Sequence, residues 1–295
     1  SYGKSMKRRN FILNSGGLLL TLPSFARASN LPYLNEIGIQ LYTLRKPISK
    51  DLPATIKEVA EAGYRQVEPY GFPSPQAVEM IKRARQNGMK VNSSHFDWNA
   101  VLHPERKGVP SFEKILDLAR ELELSHLVVP YLAESDRENL DGYRKVAELL
   151  NQAAEKATDA KIQLAYHNHA FEFKPMEKGQ SGYDILVENF SPQMAFELDV
   201  FWVKLGGVDP VRMIKKLGGR VSQLHLKDLK KKSAVPNFGK VSPDTFDEIG
   251  DGMIKMEPIM NIAQKTGVQH CHVEQDQSPA PLDSIRKSLN YLKAQ

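Results

Sequence analysis

The chain is 295 residues long, 41% hydrophobic and 25% charged, with 19 Gly and 18 Pro, ordinary globular proportions that exclude disordered, collagen-like and fibrous classes. Such a length buries a sizeable core and suits one large α/β domain or two small ones. The lone cysteine, Cys271, excludes a disulfide framework and any cysteine-built zinc or iron–sulfur site, while the net charge of +5 suggests nucleic acid only if the excess lies on a folded surface.

The excess lies at the amino terminus. Lys4, Lys7, Arg8, Arg9 and Arg27 fall within residues 1–28, where no Asp or Glu occurs. Met6 reads as the natural start. MKRRN then forms a basic leader, FILNSGGLLLTLPSF an apolar run, and Ala26-Arg27-Ala28 a small-x-small cleavage pattern. The stretch is too short and too polar for a stable membrane span. It reads as a signal peptide over 1–28, and Arg8-Arg9 ahead of Asn10, Phe11 and Ile12 reads as the twin-arginine type. The expectation is a periplasmic or exported protein whose remainder, residues 29–295, is one domain. That remainder carries 35 basic and 35 acidic residues, so its formal charge is zero and no nucleic-acid partner is expected.

From Ser29 onward, short apolar strands alternate with amphipathic helices in eight pairs. The strand candidates are IGIQL (37–41), RQVEP (65–69), KVNSS (90–94), HLVVP (126–130), IQLAYH (162–167), AFELDV (195–200), VSQLHL (221–226) and HCHVEQ (270–275). Helical patterns follow, such as LPATIKEVAEAG, SPQAVEMIKRARQNG, PSFEKILDLARELEL and LDGYRKVAELLNQAAEKA, with apolar residues at three- and four-residue spacing. Gly63 and Gly88 stand where helices should end. Eight βα units in about 260 residues predict an α/β fold, a single-domain (β/α)8 TIM barrel. A doubly wound open sheet is the alternative, but the first strand runs into QLYTLR with no GxGxxG, and neither a GxxxxGK[ST] loop nor a GxSxG elbow occurs.

A barrel gathers its chemistry where the strands' carboxyl ends share one open face. Those ends supply Gln40, Glu68, His95, the run Tyr166-His167-Asn168-His169 with Glu172 beyond, Glu197 and Asp199, His225, Lys227 and Asp228, and His272, Glu274 and Asp276. Strand alternation puts His225 and Lys227 on one face, Glu197 and Asp199 on one face, and His272, Glu274 and Asp276 on one face. His167, Asp199, His225 and Glu274 thus offer two imidazoles and two carboxylates to one divalent ion (Mn, Zn, Co, Mg or Fe), with positions left for water or substrate oxygens. Glu172 and Glu197 read equally as solvated loop residues or an inward pair. His103 and His126 read as surface and strand-start residues. Trp202 and Phe201 read as the floor of a sugar site or as core. Lys227, Lys230, Lys231 and Lys232 read as an anion site or a solvated loop.

Across essentially all of the mature chain, the pieces IGIQLYTLR, YHNHAFEF, FELDVFWV, LHLKD, EIGDGMI and HVEQD resemble the xylose isomerase-like sugar isomerase/epimerase superfamily, which includes endonuclease IV. The resemblance implies a metal-dependent barrel acting on free, phosphorylated or oxidised sugars or inositol derivatives, with Asp199, His225 and Glu274 as ligands from the sixth, seventh and eighth strands. It also implies a departure. Many epimerases of the superfamily carry Glu where His167 stands, and use two opposed carboxylates to pass a proton. Losing one argues against simple 3-epimerisation, and leaves isomerisation and dehydration or β-elimination of a keto-sugar.

The mechanism expected is α-proton abstraction through a metal-stabilised enediolate. Glu274 is the base, His167 or His169 handles the second proton, and Lys227 stabilises oxyanion charge. Gln40, Glu68, His95 and Trp202 bind substrate. The partner is a small sugar or keto-sugar, with the oligomeric state left open. A nonenzymatic sugar-binding protein and a nuclease are the rival classes, and the nuclease lacks both the extra ligands and the basic face that it would need.

Overall fold

The computed structural model describes residues 32–295; the leader expected over 1–28 lies outside them. Eight parallel strands form the barrel: β1 (Gly38–Gln40), β2 (Gln66–Glu68), β3 (Ser93–His95), β4 (His126–Val129), β5 (Gln163–His167), β6 (Met194–Asp199), β7 (Val221–Leu226) and β10 (His270–Val273). β8 (Asp228–Leu229) and β9 (Phe246–Asp247) make a small antiparallel ladder between β7 and β10 in the chain. Hydrogen-bonded order runs β2-β1-β10-β7-β6-β5-β4-β3. The last seam closes through isolated bridges Gln66–Lys90 and Phe72–Phe96 and the bond from His95 N–H to the Pro69 carbonyl, 2.9 Å.

The eight expected strands are thus all present. The third is displaced by a few residues, because Lys90 joins the seam as a lone bridge before the regular ladder starts at Ser93. The helices are α1 (Arg45–Lys50), α2 (Leu52–Ala62), α3 (Pro75–Gln86), α4 (Asn99–Leu102), α5 (Phe112–Glu121), α6 (Leu140–Asp159), α7 (Gly182–Asn189), α8 (Val200–Leu205), α9 (Pro210–Leu217), α10 (Met256–Thr266) and α11 (Pro281–Lys293). Side-chain oxygens of Asp51, Ser74, Ser111, Asn139 and Asp209 cap the first turns of α2, α3, α5, α6 and α9, and Ser181 with Asp184 makes a capping box on α7. Gly63 ends α2 at φ 107°, a left-handed conformation that glycine adopts without penalty. No helix among the described residues is long and apolar enough to cross a membrane.

Alternation separates two environments. Outward residues of the strands, such as Ile39, Val67, Leu127, Val129, Leu164, Leu198, Leu224 and Val273, join the helices in one large core. The lumen is different: Val128, Ala165 and Ala195 make a small apolar cluster apart from that core, and buried polar residues fill much of the rest.

Candidate active site

At the mouth, β5, β6, β7 and the segment after β10 bring His167, Asp199, His225 and Glu274 together, with one donor atom from each lying within 4.8 Å of all the others. His167 Nε2 is 3.0 Å from Asp199 Oδ2, and its Nδ1 lies 3.2 Å from the Pro130 carbonyl. That carbonyl fixes the proton on Nδ1 and leaves the Nε2 lone pair turned to the site, where it could meet a metal ion. Asp199 ends β6 and starts α8, so its two oxygens do different work. Oδ1 accepts from the N–H groups of Phe201 and Trp202 at 3.0 and 3.2 Å, and Oδ2 faces the site. Asn168 steadies the same residue by accepting from its N–H at 3.0 Å.

His225 Nδ1 and Glu274 Oε2 sit 2.6 Å apart, yet neither atom has a hydrogen-bond partner. Two buried donor atoms that approach so closely without the angles of a hydrogen bond are aimed at a common point rather than at each other. A four-residue N/O donor set of this kind fits a divalent transition ion.

Lys227, fully buried, lies beside this group at 2.9 Å from Asp199, 3.3 Å from Glu274 and 2.5 Å from Asp276. Burial works against its charge, but the three carboxylates outweigh that and hold the ammonium well above its ordinary range. Burial likewise opposes ionisation of Glu274 and Asp199, and the neighbouring Lys227 and imidazoles hold both carboxyls well below theirs. Asp276, farther out, goes the other way: burial dominates and pushes it up to about 7 despite Lys227.

A second polar layer lies beneath. Glu68, Glu197, His95 and His225 Nε2 meet there, with His225 Nε2 at 2.7 Å from Glu68 and 2.8 Å from Glu197. Ser93 donates to Glu68 Oε2 at 2.6 Å, Gln40 to Glu68 Oε1 at 2.8 Å and Gln223 to Glu197 Oε2 at 3.0 Å. Burial opposes a charge on His95, but Glu68 and Glu197 push it up to about 9.

Of the residues expected to bind substrate, His95 keeps a sliver of exposure, whereas Gln40 and Glu68 have none and contact neighbours in the layer below. Trp202 is at the mouth on α8, its indole nitrogen buried without a partner, 5.2 Å ring to ring from His169. His169 also presents an unpartnered Nδ1, and burial together with His167 and Lys227 holds its ring well below the usual imidazole range.

The two ambiguous carboxylates separate. Glu197 points inward, and Glu172 is fully buried under the β5–α7 loop, where it accepts from the His169 N–H (2.8 Å) and the Tyr166 hydroxyl (2.9 Å). Asp228 is another loop anchor, accepting from the N–H groups of Gly250, Gly252 and Ile254 at 3.0, 3.1 and 3.0 Å. Lys230 is exposed and paired with Asp244 at 2.9 Å. His103 bonds Asp136 at 2.9 Å at the surface side, and His126 opens β4. Sequence reasoning missed Ser93 and Gln223, although each is two residues before an inward histidine on its own strand and shares that face.

A parallel eight-stranded barrel with mixed N/O donors at its carboxyl-end mouth defines a TIM-barrel protein of enzyme type. The chain belongs to the xylose isomerase-like TIM barrel family, whose model matches residues 56–295. Among solved structures it is similar to a sugar phosphate isomerase/epimerase from Parabacteroides distasonis, at 26% identity and a TM-score of 0.72, covering 92% of this chain and 98% of that one. Among curated proteins it is similar to inosose dehydratases of Clostridium tetani and Clostridium perfringens. These are 24% and 26% identical over 81% of this chain and 87% and 88% of theirs.

Proposed function

We propose that this chain is a divalent-metal-dependent enzyme that removes the proton α to the carbonyl of a small sugar or keto-sugar, as an isomerase/epimerase. Keto-sugar dehydration is the second reading. The observation that carries the proposal is the convergence of His167, Asp199, His225 and Glu274, with the close but unbonded pair His225 Nδ1 and Glu274 Oε2. Those four residues would hold the ion, which supplies Lewis acidity toward a carbonyl oxygen and an adjacent hydroxyl.

The remaining steps belong to side chains. Glu274, ionised at neutral pH, takes the α-proton as the C–H bond breaks and its electron pair moves toward the carbonyl oxygen. Lys227, kept charged by its three carboxylates, stabilises the negative charge that develops there. Trp202 and His169 offer unpartnered nitrogens to substrate hydroxyls. For isomerisation, Glu274 returns its proton to the former carbonyl carbon, while the adjacent hydroxyl passes its proton through His169 to the former carbonyl oxygen, and the carbonyl moves one carbon along. For dehydration, the carbonyl re-forms, a C=C bond forms as the β C–O bond breaks, and Glu274 gives its proton to the departing hydroxyl to make water.

His167 occupies the place of a second carboxylate. A site with one acid/base carboxylate suits reactions in which the same group removes and returns the proton, and this favours isomerisation or dehydration over transfer between opposite faces. The dehydration reading is supported by the similarity to inosose dehydratases.

The test is proton NMR in deuterated water with metal-loaded protein and a panel of keto-, aldo- and 3-keto-sugars. Deuterium should enter the α-position or a dehydrated product should accumulate, and Glu274→Gln should abolish both while metal stays bound. Exchange that survives in that variant assigns the base elsewhere. Export through residues 1–28 is part of the same proposal, and periplasmic fractionation of full-length against Arg8→Lys, Arg9→Lys protein tests it.

A further inference from the structure

Below the proposed metal centre, four atoms of the second layer form a ring that alternates imidazole nitrogen and carboxylate oxygen. Its sides are His95 Nε2 to Glu68 Oε1 at 3.2 Å, Glu68 Oε1 to His225 Nε2 at 2.7 Å, His225 Nε2 to Glu197 Oε1 at 2.8 Å, and Glu197 Oε1 to His95 Nε2 at 2.8 Å. Hydrogen bonding accounts for only half of it. Each Nε2 carries at most one hydrogen, so four N···O contacts share at most two. Donors bonded to one ion at about 2 Å lie about 3 Å from one another, the spacing of neighbouring atoms in this ring.

Two further observations bear on the ring. The outer oxygens are already taken, Glu68 Oε2 by Ser93 at 2.6 Å and Glu197 Oε2 by Gln223 at 3.0 Å, so each glutamate turns its Oε1 to the shared centre. Such neutral donors behind ligating carboxylates are what a metal site requires of its surroundings. His272 stands beside them, wholly buried with both ring nitrogens unpartnered, one of them within 4.8 Å of donor atoms of Glu68, Glu197 and His225.

We propose that His95, His225, Glu68 and Glu197, with His272 alongside, form a second divalent-cation site in the barrel lumen. His225 joins it to the first site, Nδ1 facing upward and Nε2 downward. Loading the second ion displaces the last ring proton of His225 to solvent. An N2O2 set suits zinc, copper or cobalt, and the mouth at His95 is the way in.

This rests on the metal reading of the upper site, and the experiment separates the two. Full-length protein is stripped of metal, titrated with Co(II), passed through a desalting column and assayed by elemental analysis alongside the visible absorption of bound cobalt. Two equivalents are expected, falling to one in Glu197→Gln and, independently, in Glu68→Gln, each checked for a wild-type circular dichroism spectrum. The partly exposed trio Asp247, Glu248 and Asp251 is controlled by the same variants, since ions held there would remain. One equivalent in the wild type, or two in both variants, overturns the second site. No retained cobalt overturns the upper site as well.

Discussion

Replacing Lys227 with Met removes the one ammonium that faces Asp199, Glu274 and Asp276 while keeping most of the side-chain volume. Breaking a buried ion pair from one side costs about 3–5 kcal/mol, because the remaining charge is left without its partner. For a domain of this size that corresponds to a fall of about 10 °C in Tm. The loss should depend on pH in an unusual direction. With the ammonium gone, the carboxyls hold their protons more tightly folded than unfolded, and Asp276 already sits at about 7 with Lys227 in place. The folded state then binds more protons than the unfolded one between the ordinary carboxylate range and neutrality, so stability falls as pH rises through that window. Urea unfolding of metal-free protein at about pH 5 and about pH 8 measures this. The variant should trail the wild type most at the higher pH and recover much of the gap at the lower. A deficit below about 1 kcal/mol, or one equal at both pH values, would show that Lys227 does not compensate these carboxylates.

Two further predictions concern the lumen. Burial first, and His270 second, hold His126 down to about 4; its Nε2 is buried without a partner. Unfolding releases it to the usual value near 6.5, so the unfolded chain binds the extra proton, and stability present above that value is lost as pH falls toward 4, by about 3 kcal/mol in all. His126→Gln should flatten the acid limb of the urea midpoint against pH, and coincident limbs would sink the assignment. At Gly38, an added Cβ would overlap His272 Cδ2 and meet Gln66 Cγ at 2.7 Å. Gly38→Ala should therefore cost about 1–3 kcal/mol by overpacking, read as a lower Tm; an unchanged Tm would mean that His272 does not pack there.

Much of the site is legible in the sequence because strand parity needs only the order of residues. Asp199, His225 and Glu274 each follow another inward polar residue at a two-residue interval (Glu197, Gln223 and His272), and residue order alone therefore places them on the lumen side. Glu197, left open between loop and lumen by its sequence, is turned inward because β6 reaches as far as Asp199 and carries both on one face. Glu172 has no such parity, since it lies in a loop and its role is set by which backbone N–H groups fold over it. Ser93 and Gln223 escape notice for another reason. They are neutral and short-ranged, and their function of turning a carboxylate appears only when β3 and β7 face each other across the lumen.

Loop carboxylates also show why a motif is not a site. In LHLKD, Lys227 and Asp228 are adjacent, and alternation sends them to opposite sides. Lys227 enters the carboxylate cluster, while Asp228 collects N–H groups from Leu229, Gly250, Gly252 and Ile254. This explains why the IGDG segment accompanies it: a Cβ at Gly252 would overlap Asp228 Oδ1, so only glycine allows the loop to close on that carboxylate. The two residues are nonetheless coupled. The loop clamped by Asp228 lies between β7 and α10, and the clamp fixes the backbone at the point where β7 delivers Lys227. A change at Asp228 would act on the cluster through the position of its neighbour's backbone and not through charge, because the carboxylate faces away from the metal-competent residues and spends its lone pairs on amides.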